Sequence, residues 1–161
     1  MKKRWPTVLV IMLSLLAALF VMPVINDISL HSFAKQLNEH PLPPITKILE
    51  KKEACGKLNG NGNGMDFFAC ILIQSDLSKA DLKQYYKDSS FNTAKPVRKN
   101  VDQHTVNVNI VQPTGSILQT DYVEHQVITF NSLKEVTDFS KYYVVMLYDG
   151  GYSADFDLRG H

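Results

Sequence analysis

Residues Thr7 to Met22 read TVLVIMLSLLAALFVM, with no charged side chain and a single serine. No other feature restricts the chain as strongly. A helix that is apolar on every side must be surrounded by apolar material, whether protein core or hydrocarbon. Counted from Trp5 to Ile25, the stretch holds about twenty residues, the length that crosses a bilayer as a helix. Lys2, Lys3 and Arg4 precede it, and Trp5 stands where an amphipathic ring suits a membrane interface. Basic flanks stay cytoplasmic. The expectation is therefore a single-pass signal-anchor in the cell membrane, with a cytoplasmic N-terminus and an extracytoplasmic C-terminal domain. A cleaved signal peptide would give the same orientation, but it wants a shorter apolar core and a small-x-small cleavage site. Phe20, Val21, Met22 and Pro23 make a poor site, and Ser32-Phe33-Ala34 lies too far downstream. No cysteine stands near the end of the run to carry a lipid anchor.

Charge is distributed unevenly along the 161 residues. Three of the 17 Lys and Arg residues precede the apolar run and 14 follow it, against 16 Asp and Glu that all follow it. A nearly neutral domain offers no broad basic face to a phosphate backbone, which argues against nucleic acid as a partner. The partners expected are the lipid bilayer, through the N-terminal helix, and an envelope protein or polymer, through the domain. No cofactor is implied.

After the run, Leu30, Phe33, Ala34 and Leu37 follow helical spacing and predict a short amphipathic helix. Pro41, Pro43 and Pro44 end it and stiffen a linker. Residues 46–58, weakly patterned and readable as a strand or a short helix, are favoured as a strand, which with 65–74 predicts a β-hairpin around Asn59-Gly60-Asn61-Gly62-Asn63-Gly64, since Asn and Gly accept positive φ cheaply. Phe67 to Ile73, FFACILI, suits a strand buried on both faces. Ser78 and Asp81 form a capping box ahead of a helix whose apolar stripe is Leu77, Leu82, Tyr85 and Tyr86. Val106, Val108 and Ile110 alternate with Asn107 and Asn109 as in a half-buried strand.

Pro113-Thr114-Gly115 predicts a turn, Val127 to Phe130 a strand, and Ser132 to Phe139 a short helix capped by Ser132 and Glu135. Tyr142 to Tyr148, YYVVMLY, reads as a central strand, Asp149-Gly150-Gly151 as the turn after it, and Tyr152 to Leu158 as a last alternating strand. The fold class is α+β: a transmembrane helix, then a mainly antiparallel sheet of about six strands with two or three short helices. The organisation expected is residues 1–25 as basic flank and anchor, 26–45 as juxtamembrane helix and linker, and 46–161 as the domain.

Cys55-Gly56-Lys57-Leu58 with NGNGNGM (59–65), ILIQSDLS (71–78) and the terminal FDLRGH (156–161) resemble a family of small single-pass extracytoplasmic proteins of Gram-positive bacteria. The resemblance covers most of the domain. It implies a bacterial cell-surface setting and a shared fold, and it transfers no functional residue.

Chemistry has few places to sit. Asn59, Asn61 and Asn63 alternate before Gly64 like the first ligands of a calcium loop, but the twelfth position is Cys70 where a bidentate Glu is needed. The Asn59–Gly64 segment is thus a turn or, through successive amides, an anion-binding nest. Cys55 and Cys70 lie on the two arms of the hairpin. In an oxidising compartment they would often be bridged, whereas a buried free thiol also suits an apolar strand. His31, His40, His104, His125 and His161 form no dense ligand motif, although His104 and His125 would approach if the strands they start were paired. No metal site is expected. Asp155, Asp157, Arg159 and His161 would share one face of a straight last strand. They are the only residues on which an enzyme acting on envelope material would rest; otherwise they are a solvated edge. The leading expectation is a non-catalytic binding domain.

Overall fold

The computed structural model describes residues 5–96 and 106–161. A 34-residue helix, α1 (Trp5–Asn38), opens the fold. Strands β1 (Thr46–Gly56) and β2 (Met65–Ser75) follow, then helix α2 (Lys79–Tyr86) and strands β3 (Val108–Val111) and β4 (Tyr142–Tyr152). Single 3-10 turns sit at Asn131–Leu133 and Leu158–Gly160. The four strands form one sheet in the order β1-β2-β4-β3, and every neighbouring pair is antiparallel.

The two central strands are the two apolar runs, and both are packed on both faces. On one face lie Phe67, Ala69, Ile71, Ile73, Val145 and Leu147, covered by Leu30, Phe33, Ala34 and Leu37 of α1 and by Leu82 and Tyr86 of α2. On the other lie Phe68, Cys70, Leu72, Val144 and Met146, covered by Val123, Ile128, Phe130 and Leu133. Two-residue alternation in β2 and β4 sends successive side chains to opposite covers. The sheet is thus the middle layer between helices and a layer of loops.

Helix α1 corrects the first expectation. Its stripe Leu30, Phe33, Ala34 and Leu37 is buried against the sheet, at the spacing predicted for an amphipathic helix. That stripe continues without a break from the apolar run: Pro23 lies inside α1, and the boundary expected at residue 25 falls in mid-helix. Among the described residues no helix is long and apolar enough to cross a membrane. The transmembrane signal-anchor, and with it the single-pass, extracytoplasmic cell-membrane location, is withdrawn on that finding. The run is the first part of a helix whose second part, from Asn26 onward, is a wall of the domain core. The flank Lys2, Lys3 and Arg4 lies outside the described residues.

The strand count is corrected from six to four. Residues 127–130 contribute only an isolated bridge, Ile117 to Thr129, and the helix expected over 132–139 is a 3-10 turn at Asn131–Leu133. Asp149-Gly150-Gly151 is not a turn. β4 runs through it to Tyr152, with a bulge where the partner register jumps from Phe67–Asp149 to Met65–Tyr152. Beyond β4 the chain leaves the sheet, turns at Ala154–Asp157 and ends in the 3-10 turn at Leu158–Gly160. The hairpin, the doubly buried β2, the central β4 and the Ser78–Asp81 capping box are all present as expected.

Candidate functional site

Asp157 and Arg159 meet where the C-terminal tail crosses α1 and the hairpin. The Arg159 Nη1 donates to Asp27 Oδ1 at 2.6 Å, and Nη2 donates to Asp157 Oδ2 at 2.7 Å and to the Pro23 carbonyl at 3.2 Å. Asn26 Nδ2 donates to the same Asp157 oxygen at 2.7 Å. Hydrogen bonds from Arg159 outweigh burial and hold the Asp157 carboxyl at about 2, and the same pairing pushes the guanidinium further up. The tail also joins the hairpin backbone: the Lys57 amide donates to the Arg159 carbonyl at 2.7 Å and the Gly64 amide to the Gly160 carbonyl at 2.8 Å. Gly56, at φ +140, lies so close that a Cβ there would stand 2.9 Å from the Arg159 carbonyl oxygen. The Cys55-Gly56 and Arg159-Gly160 motifs, 104 positions apart in the chain, are therefore two halves of one contact.

This geometry redistributes the residues expected to share a strand face. Asp157 is buried and Arg159 is tied to α1, whereas Asp155 and His161 are exposed and meet through the Asp155 carbonyl, 3.3 Å from His161 Nε2. No edge strand carries the four side chains. The cluster is a clasp between tail, helix and hairpin.

The Asn59–Gly64 loop is bound into the fold from three sides. Asp66 Oδ2 accepts from the Leu58 and Asn59 amides at 3.1 and 3.2 Å. The Gly60 amide donates to Glu124 at 3.4 Å, the Gly60 carbonyl lies 2.8 Å from His125 Nε2, and Gly64 is held by the tail. Internal acceptors thus engage the amides at both ends of the segment that a nest would direct at an anion. Asp66 is a buried carboxylate satisfied by backbone donors, with the Gly151 amide at 3.1 Å on its other oxygen. Asp149, also buried, accepts from the Ala94 amide and the Tyr152 hydroxyl.

The possible disulfide is corrected. Both thiols are free and buried. Cys55 faces Phe67 across the hairpin and Cys70 faces Lys52. Cys55 belongs to the core beneath α1, and Cys70 to the core on the opposite face. Strand parity alone decides this, since residues of unlike parity along the ladder point to opposite sides. Burial raises the Cys55 thiol to about 11 and the Cys70 thiol to about 12.

Among the described residues no group of three or more His, Cys, Asp and Glu is placed to hold a metal ion. His104 lies outside the described residues, and His125 sits in a turn against the Asn-Gly loop rather than at the start of a strand. His40 packs among Tyr85, Tyr86 and Phe91.

Of the open depressions among the described residues, two border the sheet. One, of 460 Å³, is lined by Thr46, Lys47, Gln74, Ser75, Asp76 and Lys141. Its polar groups largely satisfy one another: Lys141 pairs with Asp76 at 2.6 Å and the Thr46 and Ser75 hydroxyls meet at 2.7 Å. The other, of 330 Å³, is a groove between α2 and β3, lined by Lys83, Tyr86, Lys87, Ser89, Asn107 and the strand residues 108–110. Sequence reasoning missed this groove, because the residues that line it, 83–89 and 107–110, are separated in the chain and no local pattern joins them. Comparison with protein-family models, curated proteins and solved structures returned no match.

Proposed function

We propose that the chain is a non-catalytic binding domain. One observation carries the reading: the side chains that most resemble catalytic equipment are engaged in holding the fold together. Asp157 and Arg159 form the clasp, and Asp66 accepts from three backbone amides. A general acid, base or nucleophile must reach substrate and change its protonation state. A carboxylate held near 2 by an arginine and buried from solvent does neither. The open polar groove beside α2 leaves its lysines without ion-pair partners among the described residues.

The test is a comparison of the wild-type chain with Arg159→Lys, which keeps the charge. Ester, amide, phosphate and glycoside reporters are assayed, and folding is followed by circular dichroism. The expected result is no turnover by either protein. Turnover by the wild type that disappears in a folded Arg159→Lys variant would overturn the reading.

A further inference from the structure

Among the described residues β3 is an edge strand, and its outer edge faces the α2 groove. In the order β1-β2-β4-β3 its only strand partner among the described residues is β4. The Val106 amide, just before β3, points away from β4 and donates to the Phe91 carbonyl at 3.3 Å. Two-residue periodicity carries the N–H and C=O groups of Val108 and Ile110 to that same outer side. Among the described residues no backbone group pairs with them. Such a row is a template for another strand unless it is blunted by charge, proline or a covering segment. β3 reads Val-Asn-Ile-Val, with none of the charges that line the opposite edge strand, β1, at Lys47, Glu50, Lys51, Lys52 and Glu53.

The groove adds two further observations. Lys83 and Lys87 stand along it one helical turn apart, and neither has an acidic partner among the described residues. Tyr86, between them in sequence, also lines the groove, and its hydroxyl is buried without a hydrogen-bond partner. Burial keeps that phenol protonated, raising it to about 12, so it remains a donor. An edge strand beside a helix is the arrangement in which an extended peptide adds as a further strand. Main-chain hydrogen bonds then supply affinity, and side chains on the flanking helix supply selection.

We infer that the groove between α2 and β3 binds an extended acidic segment of a partner protein by strand addition to Val108–Val111. Lys83 and Lys87 would receive its carboxylates, and the Tyr86 hydroxyl would gain an acceptor. The inference rests on the reading of the chain as a binding domain and names its site and its class of partner.

The test uses the full chain and a short synthetic peptide of alternating Glu and Val. Binding is followed by fluorescence anisotropy and by backbone amide shifts. The expected result is saturable binding, with shifts centred on residues 108–111 and 83–87. Affinity should fall about tenfold in the Lys83→Ala/Lys87→Ala double variant, as for the loss of two partly exposed charge contacts. Both lysines are surface residues, so the fold should be unaffected. A peptide N-methylated at alternate residues should not bind, which tests the edge without altering the protein. Equal binding of the methylated peptide, or of a Lys-Val counterpart, would overturn the inference, since charge or hydrophobicity alone would then suffice. Saturable binding with shifts confined to another surface would overturn the site while leaving the binding-domain reading standing. No binding of the Glu-Val peptide at millimolar concentration would overturn the inference without touching the turnover test above.

Discussion

Asp157 is 1% exposed, while its neighbours Phe156 and Leu158 are 61% and 77% exposed. The tail turns its carboxylate inward and its apolar side chains outward, the reverse of the usual partition. Arg159 and Asn26 explain the inversion, because a buried carboxylate is tolerated where donors surround it. The consequence is a pH dependence with a definite sign. The folded carboxyl sits at about 2 against an ordinary 3.8. Its stabilisation is complete above 3.8 and is lost as pH falls toward 2, an effect on the order of 2 kcal/mol. Arg159→Met should leave the buried Asp157 carboxylate without its cationic partner, cost about 3 kcal/mol at neutral pH, and raise the midpoint of acid unfolding. Urea denaturation at pH 7, with an acid titration followed by circular dichroism, checks both effects. An unchanged acid midpoint would show that the clasp contributes nothing to stability.

At the scale of the element, β4 is informative. Its bulge places Gly150 against the Asp66 carboxylate and the Tyr148 hydroxyl, where a Cβ would overlap both. Gly150→Ala should therefore destabilise by about 1–3 kcal/mol through forced displacement, although alanine ordinarily favours regular structure over glycine. Thermal unfolding measures it, and a stabilised variant would contradict the bulge geometry. The same residues show where sequence patterns were sufficient. FFACILI and YYVVMLY are continuous apolar runs of strand length, as a strand packed on both faces requires, and both are such strands. Asp149-Gly150-Gly151 fits equally a turn or a bulge, since glycine marks both; pairing with β2, invisible in the local sequence, selects the bulge. Tyr152, Ala154, Phe156 and Leu158 alternate as a strand would, yet the tail leaves the sheet, because Arg159 and the Gly160 carbonyl have partners on α1 and the hairpin instead. The α2 groove was illegible for a related reason. Lys83 and Lys87 lie near Asn107 and Ile110 only once β3 is placed at the sheet edge.

Across the whole molecule, three layers are stacked with one native thiol on each side of the middle one. Cys55 lies in the core covered by α1, with its sulfur 3.9 Å from the Asp27 carboxylate of that helix. Cys70 lies in the core covered by the loops that carry Phe130 and Leu133. A thiol buried with its pKa raised reacts with an alkylating reagent only when its cover opens. The two cysteines are thus built-in clocks for two separate openings. Phe33→Ala, beneath α1, should hasten alkylation of Cys55 more than that of Cys70, and Phe130→Ala should do the opposite; mass spectrometry of partially labelled protein reads the ratio. Equal acceleration of both would mean that the layers come away as one cooperative unit. Because the sulfurs cannot meet without the sheet itself coming apart, a disulfide between them would record that the chain had been unfolded.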